Sequence, residues 1–168
     1  MSVTDELLAA NEHYAQNFTG ADLPVPPARK VAIVACMDAR LMVSEALGLA
    51  NGDAHIIRNA GGIVTEDALR SLVISHHLLG TQEFIIINHT DCGMLSFTDD
   101  DLRATLEQKT GVESDVPARF YTFNDLEANV RRQIQKVKAH PWIPETVTVR
   151  GFIYDVKTGR LEEVPANA

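Results

Sequence analysis

Hydrophobic and polar positions along the chain follow two rhythms. Unbroken apolar runs at residues 31–35 (Val-Ala-Ile-Val-Ala) and 84–87 (Phe-Ile-Ile-Ile) have the pattern of strands covered on both faces. The first strand is expected over 30–35 and the other over 83–88. Residues 54–58 read as a shorter strand. Residues 146–154 alternate, and a turn at Lys157, Thr158, Gly159 and Arg160 leads into a short edge strand at 161–164.

Helical spacing fills the intervals. Residues 65–79 carry Thr65 as cap, Glu66 and Asp67 in the first turn and Gly80 as stop, with Ala68, Leu69, Leu72, Val73, His76 and Leu79 on one face. His76 is expected to face the core or an interface and His77 to lie at the stripe's edge, neither as a ligand. A short helix is expected over 41–47, ended by Gly48. Another runs from Asp99 towards Gln108 behind Thr98, and residues 111–122 read as loop. A further helix starts at Asn124 or Asp125 and runs through Lys138, stopped by His140-Pro141. Its Arg131, Arg132, Lys136 and Lys138 are most simply a solvated face.

Residues 4–18 form a partly apolar helix with Thr4 as cap and Leu7, Leu8, Asn11, Tyr14, Ala15 and Phe18 on its stripe. Leu23-Pro24-Val25-Pro26-Pro27 then breaks regular structure. This helix is an arm that either folds back on its own domain or packs on a second subunit. The whole pattern predicts an α/β fold: a mostly parallel central sheet of about four strands, a C-terminal edge hairpin strand, helices on both faces and an N-terminal helical arm. One domain is expected over 1–168, with arm and proline-rich linker at 1–27 and a catalytic body at 30–165.

At 168 residues, 45% hydrophobic and 23% charged, the chain is ordinary for one globular domain. A net charge of −8 argues against nucleic-acid or anionic-membrane partners, which would ask for a basic surface. No apolar run approaches the roughly 18 residues of a membrane span, and the acidic start is unlike a secretory signal. A cytoplasmic location is expected. There the two cysteines point to metal binding or catalysis rather than to a structural disulfide.

Both cysteines stand at strand ends. Cys36 follows the first strand in Cys36-Met37-Asp38-Ala39-Arg40, and His89 and Cys92 stand three apart after the run at 84–87. In an open parallel sheet the carboxyl ends of neighbouring strands share one edge, where ligands bind. If these two strands are neighbours, Cys36, His89 and Cys92 converge as three zinc-type ligands, which leaves a fourth position for water. Asp38 is placed to accept a hydrogen bond from metal-bound hydroxide, and Arg40 to hold Asp38 in a bidentate pair off the metal. Asn59-Ala60-Gly61-Gly62 marks a tight turn or a close backbone approach. The backbone around Gly61, Gly62 and Gly93 is a candidate lining for a small substrate pocket. Thr90 and Asp91 read as turn residues, and His13 and His55 have no partner that sequence can name.

Together, the Cys-x-Asp-x-Arg segment, the glycine turn and His89-Thr90-Asp91-Cys92-Gly93 resemble a β-class carbonic anhydrase of the compact kind. The resemblance implies one Zn2+ per chain and reversible hydration of carbon dioxide to bicarbonate and a proton by attack of zinc-bound hydroxide. It also implies an open state with water on the metal, a closed state with Asp38 on it, and a homodimer or higher homo-oligomer. Three other readings stand beside it: a COS or CS2 hydrolase using the same chemistry, a non-enzymatic zinc or thiol redox sensor, and a closed structural zinc site with Asp38 as permanent fourth ligand.

Overall fold

The computed structural model describes residues 2–166. Five strands, β1 (Val31–Cys36), β2 (Ala54–Asn59), β3 (Glu83–His89), β4 (Thr148–Tyr154) and β5 (Leu161–Val164), form one sheet in the order β2-β1-β3-β4-β5. The first four are mutually parallel and β5 is the antiparallel edge. Residues 31 and 83 stand opposite each other, as do 35 and 87, so β1 and β3 end at the same height. The chain leaves β1 towards β2 on one side and leaves β3 towards β4 on the other. The space between the carboxyl ends of β1 and β3 is therefore the switch point of the sheet, where ligand crevices of open α/β folds lie.

Every residue of β1 is buried, as its unbroken apolar run requires. Its alternating side chains feed two cores. On one face Ala32, Val34, Phe84, Ile86 and Val149 pack with Leu72 of α3 (Glu66–Leu79) and with Val130, Ile134 and Val137 of α5 (Leu126–Lys138). On the other, Ile33, Ala35 and Ile87 pack with Leu41, Phe123 and Val43 of the short α2 (Val43–Ala46). Both faces carry helix, but the two longer ones share a face. Gly151 of β4 lies against α5, where a Cβ would collide with Val130 Cγ1.

The helix boundaries follow capping chemistry. Thr65 accepts a hydrogen bond from the Ala68 N–H, and Gly80 closes α3 in the left-handed region. Asp125 caps α5. Thr98 and Asp101 form a reciprocal capping box on α4 (Asp99–Thr110). For α1 (Val3–Gln16) the cap is Ser2 rather than Thr4, because Ser2 and Asp5 can satisfy each other's backbone N–H while Thr4 lies inside the first turn. The short α2 begins only at Val43, since the preceding residues are held in a loop by Asp38. No residue of α1 is buried, and Val3, Leu7, Leu8 and Tyr14 are exposed on it.

Candidate metal centre

The three predicted ligands meet. Cys36 at the end of β1, His89 at the end of β3 and Cys92 in the following turn are all buried, and their Sγ and imidazole nitrogen atoms lie within 4.8 Å of one another. Neither cysteine is in a disulfide. The turn that delivers Cys92 places Asp91 in the left-handed region at φ 56°. It is tied to the next strand by Thr90, whose N–H donates to the Tyr154 carbonyl (2.9 Å) and whose Oγ1 accepts from the Val156 N–H (3.1 Å).

His89 shows what the cluster is suited to hold. Its Nδ1–H donates to the Thr90 carbonyl at 2.8 Å, which fixes the ring and leaves Nε2 as the lone-pair nitrogen. That Nε2 is the buried side-chain polar atom without a hydrogen-bond partner among the described residues. An unpartnered buried nitrogen costs free energy, and a metal ion is the partner that two adjacent sulfurs would share. A single ion could be held by all three. This donor set fits zinc or another thiophilic divalent ion.

The two sulfurs act on each other. The Cys36 thiol is pulled down by the Cys92 side chain, against its own burial, with help from His89 and the Asp38 and Gly61 backbone. Cys92 is pushed up by the Cys36 side chain and by burial. Thiolate is the form in which either cysteine would hold a divalent cation.

Asp38 stands beside the cluster, with Oδ2 3.7 Å from His89 Nε2. Arg40 grips both of its oxygens, Nε to Oδ1 at 3.0 Å and Nη2 to Oδ2 at 2.8 Å, and the Arg40 backbone N–H adds a 2.9 Å bond to Oδ1. The carboxyl is held well below the usual carboxylate range by these bonds from Arg40.

Three contributors escaped the sequence reading. Asp91, expected only as a turn residue, accepts Arg40 Nη1 at 2.8 Å and accepts Nη2 at its carbonyl, so Arg40 is clamped from both sides. Arg58 at the end of β2 donates to the Cys36 carbonyl (2.9 Å) and the Asp38 carbonyl (2.6 Å), pinning the ligand loop; its place beside the glycine turn was the only signal. Asn88, one residue before His89, donates to the carbonyls of Gly61 (3.0 Å) and Gly62 (3.2 Å) and accepts from Asn129 Nδ2 at 2.7 Å.

The glycine turn is closed by Asn59, whose side chain pairs reciprocally with the Ile63 backbone. Gly61 and Gly62 are buried and Gly93 is exposed. A Cβ on Gly62 would lie 2.8 Å from the Ile87 carbonyl oxygen and 2.9 Å from the Cys36 nitrogen, at a φ of +62°. The turn therefore sits directly against the two ligand-bearing strands. Of the remaining histidines, His76 is half-buried and donates from Nδ1 to the Thr81 carbonyl (2.7 Å). His77 is exposed, with Nε2 2.6 Å from the Trp142 carbonyl. His55 is bonded to Ser75 at 2.7 Å. None of the three belongs to the Cys36–His89–Cys92 cluster.

Known proteins resemble this chain along nearly its whole length. The family model described as carbonic anhydrase matches residues 31–161. Beta-carbonic anhydrase 1 of Mycobacterium tuberculosis is 48% identical over 164 residues, covering 98% of this chain and 99% of that protein. The crystal structure of carbonic anhydrase from Streptococcus mutans superposes with a TM-score of 0.93 at 48% identity, covering 98% of this chain and 99% of that one. A carbon disulfide hydrolase of Acidithiobacillus thiooxidans is 35% identical, covering 96% of this chain and 90% of that protein. A fold whose switch point gathers two cysteines and a histidine beside a clamped aspartate, matched along nearly its full length, places this chain in the β-carbonic anhydrase family.

Proposed function

We propose that this chain catalyses the reversible hydration of carbon dioxide to bicarbonate, with one zinc ion per chain held by Cys36, His89 and Cys92. The observation that carries the reading is the pairing of a buried, partnerless His89 Nε2 with an aspartate whose two oxygens are both taken by Arg40. A closed structural site would need Asp38 as a ligand and would have no use for an arginine competing for it. Zinc, when bound, supplies the Lewis acidity that makes water nucleophilic near neutral pH.

The chain's own residues supply the rest. Asp38, kept anionic by Arg40, accepts a hydrogen bond from the attacking water and orients its lone pair towards the carbon of CO2. Arg40, itself fixed by Asp91, keeps the carboxylate from swinging onto the ligand cluster. The Gly61 N–H supports the Cys36 thiolate, and Arg58 holds the loop between Cys36 and Asp38. The backbone at Gly61 and Gly93 lines the space for a linear triatomic substrate, while Gly62 lets the turn approach Cys36.

Two further features complete the proposal. The exposed apolar residues of α1 fit an arm that crosses to a second copy, giving a homodimer or a higher assembly. Thiol ligands that must stay reduced fit the cytoplasm. Hydrolysis of CS2 or COS is the alternative on the same residues, favoured by the likeness to the carbon disulfide hydrolase. Offering CO2, COS and CS2 in turn to one zinc-assayed preparation tests the choice: turnover confined to CO2 supports the proposal, and turnover confined to the sulfur compounds overturns it.

A further inference from the structure

We propose that the crevice between the start of α3 and the exposed flank of α5 binds a multivalent oxyanion of the phosphate class, at a site separate from the metal ligands. Ile63, the segment 119–124 and α5 enclose a cavity of about 380 Å³. Arg119, Arg132 and Lys136 converge on it, and no aspartate or glutamate lines it. In a chain of net charge −8, three cations meeting without a carboxylate run against the composition.

None of the three is in an ion pair among the described residues. Arg132 Nη2 donates to Asn129 Oδ1 at 2.6 Å, Lys136 Nζ donates to the Val64 carbonyl at 2.5 Å, and the Arg119 guanidinium lies 5.6 Å from the centre of the Tyr121 ring. All of these partners are neutral, so three formal charges stay uncompensated at one opening. A guanidinium has five N–H donors and an ammonium three, and most of these are left for a ligand.

The floor and rim are preset. Asn129 and Gln133 are buried, and their amides are fixed: Asn129 donates to Asn88, Gln133 donates to Asn129 at 3.0 Å, and Gln133 Oε1 accepts from the Val64 N–H at 2.9 Å. On the opposite rim Tyr121 adopts φ 62°, a conformation uncommon for an aromatic residue. It is stabilised by Asp99, whose carboxylate accepts the N–H groups of Phe120, Tyr121 and Thr122. The carboxylate works from behind the segment and is not among the groups lining the cavity.

Charge and size identify the ligand class. Three cations at one opening match two or more negative charges better than one, and phosphate oxygens suit both guanidinium forks and an ammonium. The cavity has room beyond a single phosphate, and Ile63 and Phe123 give it an apolar wall, so either free phosphate or the phosphate ester of an organic metabolite can occupy it.

Isothermal titration calorimetry on the zinc-loaded full chain tests this, with inorganic phosphate and adenosine 5′-monophosphate as probes at ionic strength held constant with acetate. Saturable binding is expected, weakened at least tenfold in the double variant Arg119→Gln/Lys136→Gln and several-fold in Arg119→Gln alone, whose side chain makes no main-chain hydrogen bond. Equal affinity for the two probes would point to the phosphate group alone, and tighter binding of the nucleotide to an ester. Absence of saturable binding by either probe, or equal binding by wild type and the correctly folded variants, overturns the proposal.

Discussion

Arg40 holds Asp38 by three hydrogen bonds, two from its guanidinium and one from its own backbone N–H, and it is itself held by Asp91. The carboxylate is therefore fixed beside His89 by a cation that cannot be deprotonated. Replacing Arg40 by lysine keeps a charge but loses the planar fork. Arg40→Lys is expected to lower kcat at least tenfold, about 1.4 kcal/mol of transition-state stabilisation, with zinc content unchanged. Asp91→Asn removes only the outer clamp and is expected to cost less, roughly two- to fivefold. Steady-state CO2 hydration with zinc assayed on each sample gives both numbers.

Gly62 and Gly93 make a matched pair. A methyl at Gly62 meets the Ile87 carbonyl and the Cys36 nitrogen below 3.0 Å in a left-handed conformation, whereas at Gly93 it meets nothing within 4 Å. Gly62→Ala is expected to destabilise the fold by about 2–4 kcal/mol and Gly93→Ala by no more than about 0.5. Urea unfolding followed by circular dichroism separates the two.

Much of this site was legible before any coordinates. The apolar runs of β1 and β3 are strong signals because a strand covered on both faces favours unbroken apolar residues, and the polar residues that end such a run lie towards the carboxyl edge of the sheet. That put Cys36 and His89 at one edge, and pairing of β1 with β3 brought them together. What escaped was long-range polar pairing. Nothing local says that Arg58 reaches back to the carbonyls of Cys36 and Asp38, or that Asn129, distant in sequence, supports Asn88 behind the glycine turn. Asp91 looked like a turn residue because it is one, and its second role depends on Arg40 arriving from the loop that follows β1. The Ser2 cap was missed because Thr4 has the same chemistry two residues later, and only the Ser2–Asp5 reciprocity decides between them.

Metal removal should act on stability as well as on activity. The His89 Nε2 has no hydrogen-bond partner among the described residues, and it lies within 4.8 Å of the two sulfurs. Zinc at a hundredfold excess over its Kd is expected to stabilise the fold by about 2.7 kcal/mol. Chelation should lower Tm in wild type and leave Cys92→Ser almost unmoved, as read by calorimetry with and without chelator.

Asp99 provides an acid-labile element away from the metal. Its burial alone would raise its pKa, but the Thr122 backbone and side chain and the N–H groups of Phe120 and Tyr121 outweigh this and bring it to about 2. A group depressed in the folded state contributes fully above its unfolded pKa of 3.8 and loses that contribution as pH falls from about 4 to about 2. With solvent screening the contribution is about 1 kcal/mol. Asp99→Asn should be less stable than wild type at pH 7, and the difference should shrink towards pH 2. Denaturant midpoints across that range check the sign.

The arm makes a separate prediction. Since α1 buries none of its residues and carries exposed Val3, Leu7, Leu8 and Tyr14, deleting residues 1–18 should leave the body folded and reduce the oligomer. Sedimentation velocity should show a smaller species with unchanged secondary structure. An unchanged assembly would remove α1 from the interface.

The most direct test of the central claim is stopped-flow CO2 hydration across about pH 6.5–9 on protein with one zinc per chain, with Cys92→Ser as control. The account predicts fast turnover that rises with pH in the wild type and is absent from the variant. No turnover at any pH despite a full complement of zinc, or equal turnover in Cys92→Ser, would contradict it.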